Sequence, residues 1–403
     1  MNSALFRGTR LADSGVVGAP LAGCPDAADR VRDAILDRDR AIVRLLLAAS
    51  LVAMVGCAAP SEGPSPTPAE STGTPLGIGL TGRIHFNTQT ADFARARAFY
   101  RTLGFTAGVT GFPKTNTHEM ARSLGMDDLC SYEIEEIEVI AIPDGWGPTS
   151  IDLIQFAVPF NPAPPYGSPL HLGMAYAALL TTDLDADLAL LRARGVELLS
   201  EPYGVPGNRF VFVRDPDGVF FKLEETTPPH RDADVDGDMH IRAMPYVAIN
   251  VSDLDRSLAF YRHLGYTEAR PLPSTGTLAE ARAYGLDAPF ERRGTEIALP
   301  GGDRHRLRLV QWVASYDADP PYPPPINHIG INRLALSVED LDRAVEVLTA
   351  QGAQFLSPIA PCCSGTGADE TGIINLIDPD GVFLELVGPI ARRTPVPPPE
   401  RCR

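Results

Sequence analysis

The 403-residue sequence has little positive charge, no cysteine pair at metal-binding spacing, and no apolar run long enough to span a bilayer. Lys and Arg total 35 against 51 Asp and Glu, a formal net charge of −16. That balance excludes nucleic acid as a partner, because a phosphate backbone needs basic grooves, and no basic stripe interleaved with aromatics occurs. Six cysteines are present (Cys24, Cys57, Cys130, Cys362, Cys363 and Cys402), none in a C-x-x-C pair, so no zinc-site spacing exists. Adjacent Cys362 and Cys363 are read as two loop thiols, with a vicinal disulfide as the alternative. No nucleophile elbow, Walker loop or dinucleotide fingerprint appears. The glycine-rich segments 204–208 and 364–367 lead into strands, with no helix behind them to hold phosphate. What remains, 44% apolar and 21% charged, describes a globular chain with room for two domains and tails.

What is there is a phrase written twice. Residues 92–105 read D-F-A-R-A-R-A-F-Y-R-T-L-G-F and residues 253–266 read D-L-D-R-S-L-A-F-Y-R-H-L-G-Y. His171-Leu-Gly173 recurs as His328-Ile-Gly330, D-L-D-A-D-L-A-L-L-R-A-R-G as D-L-D-R-A-V-E-V-L-T-A-Q-G, and Asp215-Pro-Asp-Gly218 as Asp378-Pro-Asp-Gly381. A repeat of this length is a duplicated domain. A weaker period divides each copy in two: a strand, a D-L-D helix start, a Gly stop, then further strands. The chain therefore reads as four related modules paired into two domains. Tyr100 and Tyr261 fall on the packed helix faces and are read as core.

Residues 43–59 read V-R-L-L-L-A-A-S-L-V-A-M-V-G-C-A-A: one basic residue, a short apolar run, small residues, then Cys57. This is the pattern of an export signal, too short for a spanning helix. Met54-Val55-Gly56-Cys57 resembles the lipobox of bacterial lipoproteins, which implies cleavage before Cys57, lipidation of its thiol and an exported, membrane-anchored protein. The Pro/Ser/Thr tract at 58–78 is read as a flexible tether. Residues 1–42 mix acid and base around D-R-V-R-D-A-I-L-D-R-D-R and are read as a mis-called start or an extended n-region. The remaining divisions are a first domain at 79–228, a linker at 229–241, a second domain at 242–391 and a Pro-rich tail at 392–403.

A helix followed by three strands, twice per domain, is a βαβββ plan. With F-Y-R-x-L-G-[FY], D-L-D-x-A-[LV]-x-x-L-x-x-x-G and D-P-D-G-V-F, the stretch from about residue 80 to 390 resembles the vicinal oxygen chelate superfamily of glyoxalases, bleomycin-resistance proteins and extradiol dioxygenases. The resemblance implies an α+β fold of two tandem domains, each of two paired βαβββ modules forming a cupped open barrel around one ligand pocket. It also implies where a divalent metal would bind, on the first and last strands of each module. At those places the first domain offers His85, Asp152, Tyr176 and Lys222, and the second offers Tyr246, Arg308, Arg333 and Glu385. Grouped so, neither set can ligate, since an ammonium or guanidinium repels a divalent cation. The reading is of no catalytic metal, with a divalent metal not excluded, and of ion pairs Asp152–Lys222 and Arg308–Glu385 closing the two cups.

Three functions are consistent with this pattern. The leading one is a glyoxalase- or bleomycin-resistance-like lipoprotein that binds a small organic molecule. The second is a lyase or isomerase, metal-free or with an atypical metal, using His85 or Tyr246 as general base and Lys222, Arg308 or Arg333 as an oxyanion or carboxylate partner. The third is a tethered interaction scaffold. His171 and His328, repeated beside Pro-rich loops, are read as structural.

Overall fold

A computed structural model describes residues 77–142, 149–158, 160–161, 163–226, 239–300, 302–313, 323–362, 370–391 and 397–402. The signal, Cys57, nearly all of the tether, most of the 229–241 linker, Cys363 and the 364–367 segment lie outside the described residues.

Module one comprises β1 (Leu80–Gln89), α1 (Phe93–Thr102), β2 (Ala107–Val109), α2 (His118–Ser123), β3 (Glu133–Ala141) and β4 (Ser150–Val158). Module two is β5 (Gly173–Thr181), α3 (Leu184–Ala193), β6 (Tyr203–Val205), β7 (Asn208–Arg214) and β8 (Phe220–Glu225). Module three has β9 (Ile241–Ala243), β10 (Tyr246–Asn250), α4 (Leu254–His263), β11 (Thr267–Pro271), β12 (Thr275–Gly276), α5 (Leu278–Ala283), β13 (Phe290–Leu299) and β14 (Gly302–Trp312). Module four closes with β15 (Gly330–Val338), α6 (Leu341–Ala350), β16 (Ala360–Pro361), β17 (Thr371–Ile377) and β18 (Phe383–Pro389). The short α2 and α5, absent from the sequence reading, each begin at a Thr cap and occur only in the odd modules.

The long helix of every module starts in the same way. Asp92, Asp183, Asp253 and Asp340 stand at the N-caps, and each carboxylate accepts a first-turn N–H, satisfying donors that the helix itself leaves free. Gly104 follows α1 at φ 94°, a conformation that a side chain would strain.

Tyr100 and Tyr261 are fully buried, as their place on the packed face predicts. Their hydroxyls do something further. Tyr100 donates to Asp215 Oδ2 at 2.8 Å, and Tyr261 donates to Asp378 Oδ2 at 3.0 Å. Both aspartates open a D-P-D-G turn, and the other oxygen of each accepts two N–H groups of that turn. The second aspartate of each turn, Asp217 or Asp380, also reaches the start of the same helix, through Thr90 and Arg95 or through Ser252 and Arg256. Helix and turn thereby join modules one and two, and modules three and four.

The sheets join different modules. One curled sheet has eight strands in the order β16-β17-β18-β15-β1-β4-β3-β2. The other follows β11-β13-β14-β10-β5-β8-β7-β6, with β12 on β13 and β9 on β5. The tandem α+β repeats and their half-barrel sheets are present, but each cup is built across the repeats. Modules one and four share one cup, modules two and three the other. This corrects the expectation that the two modules of one repeat close one cup. The seams are β1 antiparallel to β15 and β5 antiparallel to β10. Between the sheets lies one apolar core, where Phe86, Leu179, Ile249 and Leu336 meet helix residues such as Ala96 and Leu258.

Replacing Tyr100 or Tyr261 with Phe strands a buried carboxylate oxygen, so each change should destabilise the fold by about 1–3 kcal/mol in urea unfolding. The two losses should add, because the sites lie in different repeats. Losses below about 0.3 kcal/mol would show the hydroxyls to be idle.

Candidate functional site

Alternation along the strands decides what enters a cup. On β1, His85 faces the cup of modules one and four while Phe86 enters the shared core; on β4, Asp152 and Ile154 face the cup while Ile151 and Leu153 do not. Arg333 comes from β15 and Glu385 from β18. The register sets Asn87 opposite Arg333 on one side and beside Asp152 on the other. Above this floor opens a cavity of about 520 Å³, walled by side chains such as Met120, Ile137, Ile154, Phe156 and Ile373.

The floor is a compact polar cluster. Arg333 Nη1 lies 2.7 Å from Glu385 Oε2, and its Nη2 lies 3.7 Å from Asp152 Oδ2. Arg333 Nε donates to Asn87 Oδ1 at 3.1 Å, and the Asn87 amide donates to Asp152 Oδ2. All four side chains are buried. Burial pushes His85 down to about 3, helped by the Arg333 charge, so the imidazole is neutral. Burial raises Asp152 to about 7 against the pull of Arg333, and it raises Glu385 as well.

The second cup carries Tyr246, Arg308, Tyr176 and Lys222 where the first carries His85, Asp152, Arg333 and Glu385. Among the described residues it is packed with aromatic side chains. Tyr284, which follows α5, packs on Trp312, Phe212 and Phe210 with ring centroids 5.3–5.4 Å apart, where the equivalent residue after α2 is Leu124. Tyr176 and Tyr246 are each 1% exposed. Lys222 Nζ pairs with Glu224 at 2.8 Å and sits 3.9 Å above the Phe210 ring. Arg308 pairs with Glu296 at 2.6 Å and stacks 3.6 Å from the Tyr246 centroid. The Tyr246 hydroxyl donates to Glu224, and burial holds its phenol well above the ordinary range, so it does not stand as a base facing a substrate.

The expected pairs Asp152–Lys222 and Arg308–Glu385 therefore do not form. Their members belong to different sheets, and each charge meets partners from its own sheet. Of the eight residues named from the sequence, four gather at each cup floor, in sets of His85, Asp152, Arg333 and Glu385, and of Tyr176, Lys222, Tyr246 and Arg308. Four contributors were missed: Asn87, Glu224, Glu296 and Tyr284. Asn87 and Glu224 lie two residues from His85 and Lys222, on the same strand faces, so the period of two contains that signal. Tyr284 carried none, since its helix was not foreseen. His171 and His328 stack on Tyr166, with centroids 3.4 and 4.8 Å away, and His171 Nδ1 lies 2.8 Å from the Leu172 carbonyl, a packed loop arrangement.

Two disulfide-bonded positions flank the first cup. Cys130, before β3, is bonded to Cys402 in the tail. Cys362, which lines the cavity, is also disulfide-bonded and not the free thiol expected.

His85, Asp152 and Glu385 are donors of the kind a divalent metal takes, but the fourth corner holds Arg333 within ion-pair distance of both carboxylates. A guanidinium keeps its proton at any ordinary pH, so a divalent cation at the centre would face a fixed positive charge. Among the described residues no group of three or more His, Cys, Asp or Glu is arranged to hold a metal. The cup with Arg333 in place does not fit a metal centre. Replacing Arg333 with His should make it fit: calorimetric titration should show zinc or nickel binding at least about tenfold tighter in the variant than in the unaltered protein. Equal affinity in both would show that Arg333 does not guard the corner.

A family model for the Glyoxalase/Bleomycin resistance protein/Dioxygenase superfamily matches residues 82–223 and 243–386. Similar solved structures include glyoxalase I from Zea mays, 16% identical with a TM-score of 0.49, over 76% of this chain and 92% of that one. Another is a putative dioxygenase from Bacillus subtilis, 11% identical with a TM-score of 0.48, over 77% of this chain and 86% of that one. No curated protein matches the chain significantly. The two matched stretches together span most of the chain, and they bracket the repeated phrase, the D-P-D-G turns and all eight cup residues: the chain belongs to the Glyoxalase/Bleomycin resistance protein/Dioxygenase superfamily.

Proposed function

We propose that this chain is an exported, tethered binding protein that holds a small, largely apolar organic molecule in the cup of modules one and four. It acts by sequestration or sensing and uses no catalytic metal. The observation that carries this reading is the asymmetry of two cups grown from one repeat. One keeps a cavity of about 520 Å³ with apolar walls and a few polar groups at its floor, the usual make-up of a ligand site. The other is occupied by its own aromatic side chains and serves as core.

An enzymatic reading of the open cup, a metal-free lyase or isomerase, would rest on Asp152. Its carboxyl near 7 is suited to moving a proton at neutral pH. His85 is too weak a base near 3 for that role. Binding is favoured because Asp152, Asn87, Arg333 and Glu385 are tied to one another, which fixes recognition groups in place.

Export is supported by the lipobox-like M-V-G-C at Cys57 and by the Cys130–Cys402 disulfide, since such bonds persist in oxidising compartments. Anchoring through a lipid on Cys57 would hold the protein on a periplasmic or other extracytoplasmic membrane face.

Two outcomes test the reading. An uncharged solvatochromic dye such as Nile red should bind the full-length protein, and Val139→Trp, placed in the cavity wall, should weaken it by at least about tenfold. Unchanged dye binding in the variant would move the site elsewhere. In bacteria fed a labelled fatty acid, the wild-type chain should take up label and Cys57→Ser should not; label retained in the variant would refute the anchor.

A further inference from the structure

The charges at the floor of the open cup do not balance. Of the side chains lining the cavity, Asp152 and Glu385 carry carboxylates, while Arg333 supplies the opposing charge and His85 is neutral. Glu385 takes the close contact with Arg333 at 2.7 Å, leaving Asp152 at 3.7 Å from the same guanidinium. Asp152 Oδ1 and His85 Nδ1 have no hydrogen-bond partner among the described residues, and both side chains are at least nine-tenths buried. An unpartnered carboxylate oxygen and an unpartnered imidazole nitrogen thus sit at the bottom of an apolar cavity, with one surplus negative charge whenever Asp152 is ionised.

Three kinds of ligand meet this floor differently. An anion would add a second uncompensated negative charge in a low-dielectric site. A neutral ligand without a donor would leave the Asp152 carboxylate oxygen unsatisfied. A cationic nitrogen at the end of an apolar body would supply the missing positive charge and up to three donors, while its body displaces water from the walls.

We infer that the cup of modules one and four selects apolar molecules bearing a cationic nitrogen, an ammonium or an amidinium, with Asp152 as the counter-ion. The inference rests on the binding reading above and narrows it to a ligand class. Arg333 then acts as the fixed internal charge that neutralises Glu385, so that a single carboxylate is left for the ligand.

The groups facing Asp152 are Asn87 from β1, Arg333 from β15, Glu385 from β18 and the Tyr132 phenol ahead of β3, with His85 of β1 lining the same cavity. With Asp152 at about 7 in the free cup, an arriving cation must displace a proton at lower pH. Amine affinity should therefore rise as pH rises from about 5 to about 7 and level off above that, where the carboxylate is already ionised.

The test uses the full-length protein with a matched series of naphthylmethylamine, naphthylmethanol and naphthoate, each competing against Nile red. The amine should bind at least about tenfold tighter than the alcohol at pH near 8, with the carboxylate weakest, and its advantage should shrink toward pH 5. In Asp152→Asn the ratio of amine to alcohol affinity should fall to near one and lose its pH dependence. Equal affinity across the series, or preference for the carboxylate, would overturn the ligand class while leaving the cup as a binding site. Failure of every compound, Nile red included, would overturn the binding reading and the inference with it. The series in the unaltered protein decides the question even if the variant does not fold.

Discussion

The backbone ladders that join β1 to β15 and β5 to β10 determine which charged residues meet. Once Asn87 lies opposite Arg333 and beside Asp152, the guanidinium is drawn into hydrogen bonding with the amide and ion pairing with two carboxylates. A shift of one residue would turn His85 and Arg333 into the apolar core and bring Phe86 and Leu334 into the cup. The same constraint on the other sheet sets Tyr176 opposite Ala248 and places Lys222 and Arg308 on strands flanking that seam. Charge pairing in both cups follows from these two registers.

A duplicated chain with two equivalent cups can keep one as a site and use the other as a core. In this chain the second cup carries more bulk than the first at particular positions: Tyr284 where the first has Leu124, Trp312 where it has Phe156, and Phe210 and Phe212 where it has Ile373 and Asn375. Those rings pack around Lys222 and Arg292, which find cation–π faces and carboxylates, Glu224 for Lys222 and Glu280 for Arg292. Buried cations so placed are paired and desolvated together, a structural use of charge. The first cup has smaller side chains and a floor whose charges leave one carboxylate over. Its surplus is tolerable because Asp152 can take up a proton when no ligand is present.

Much of this was legible in the sequence. The repeat, the four Asp caps and the D-P-D-G turns follow from spacing, because local rules fix them, and the eight cup positions follow from the resemblance that those motifs carry. Which modules share a sheet was not legible. The motifs that mark the strands are the same in both repeats, so pairing within or across repeats satisfies them equally, and the expected ion pairs failed for that reason. The hydroxyls of Tyr100 and Tyr261 were also hidden. Their helical spacing announces burial, but a hydrogen bond to an aspartate more than a hundred residues away leaves no local trace.

The central claim is that one cup binds and the other is core. Hydrogen–deuterium exchange of the full-length protein, with and without a saturating apolar amine, tests it most directly. The account predicts slowed exchange in segments 80–89, 133–141, 150–158 and 371–389, which wall the open cup, and no change in 208–225, 290–299 or 302–312. Protection confined to the latter segments would place the ligand in the aromatic-filled cup and contradict the account.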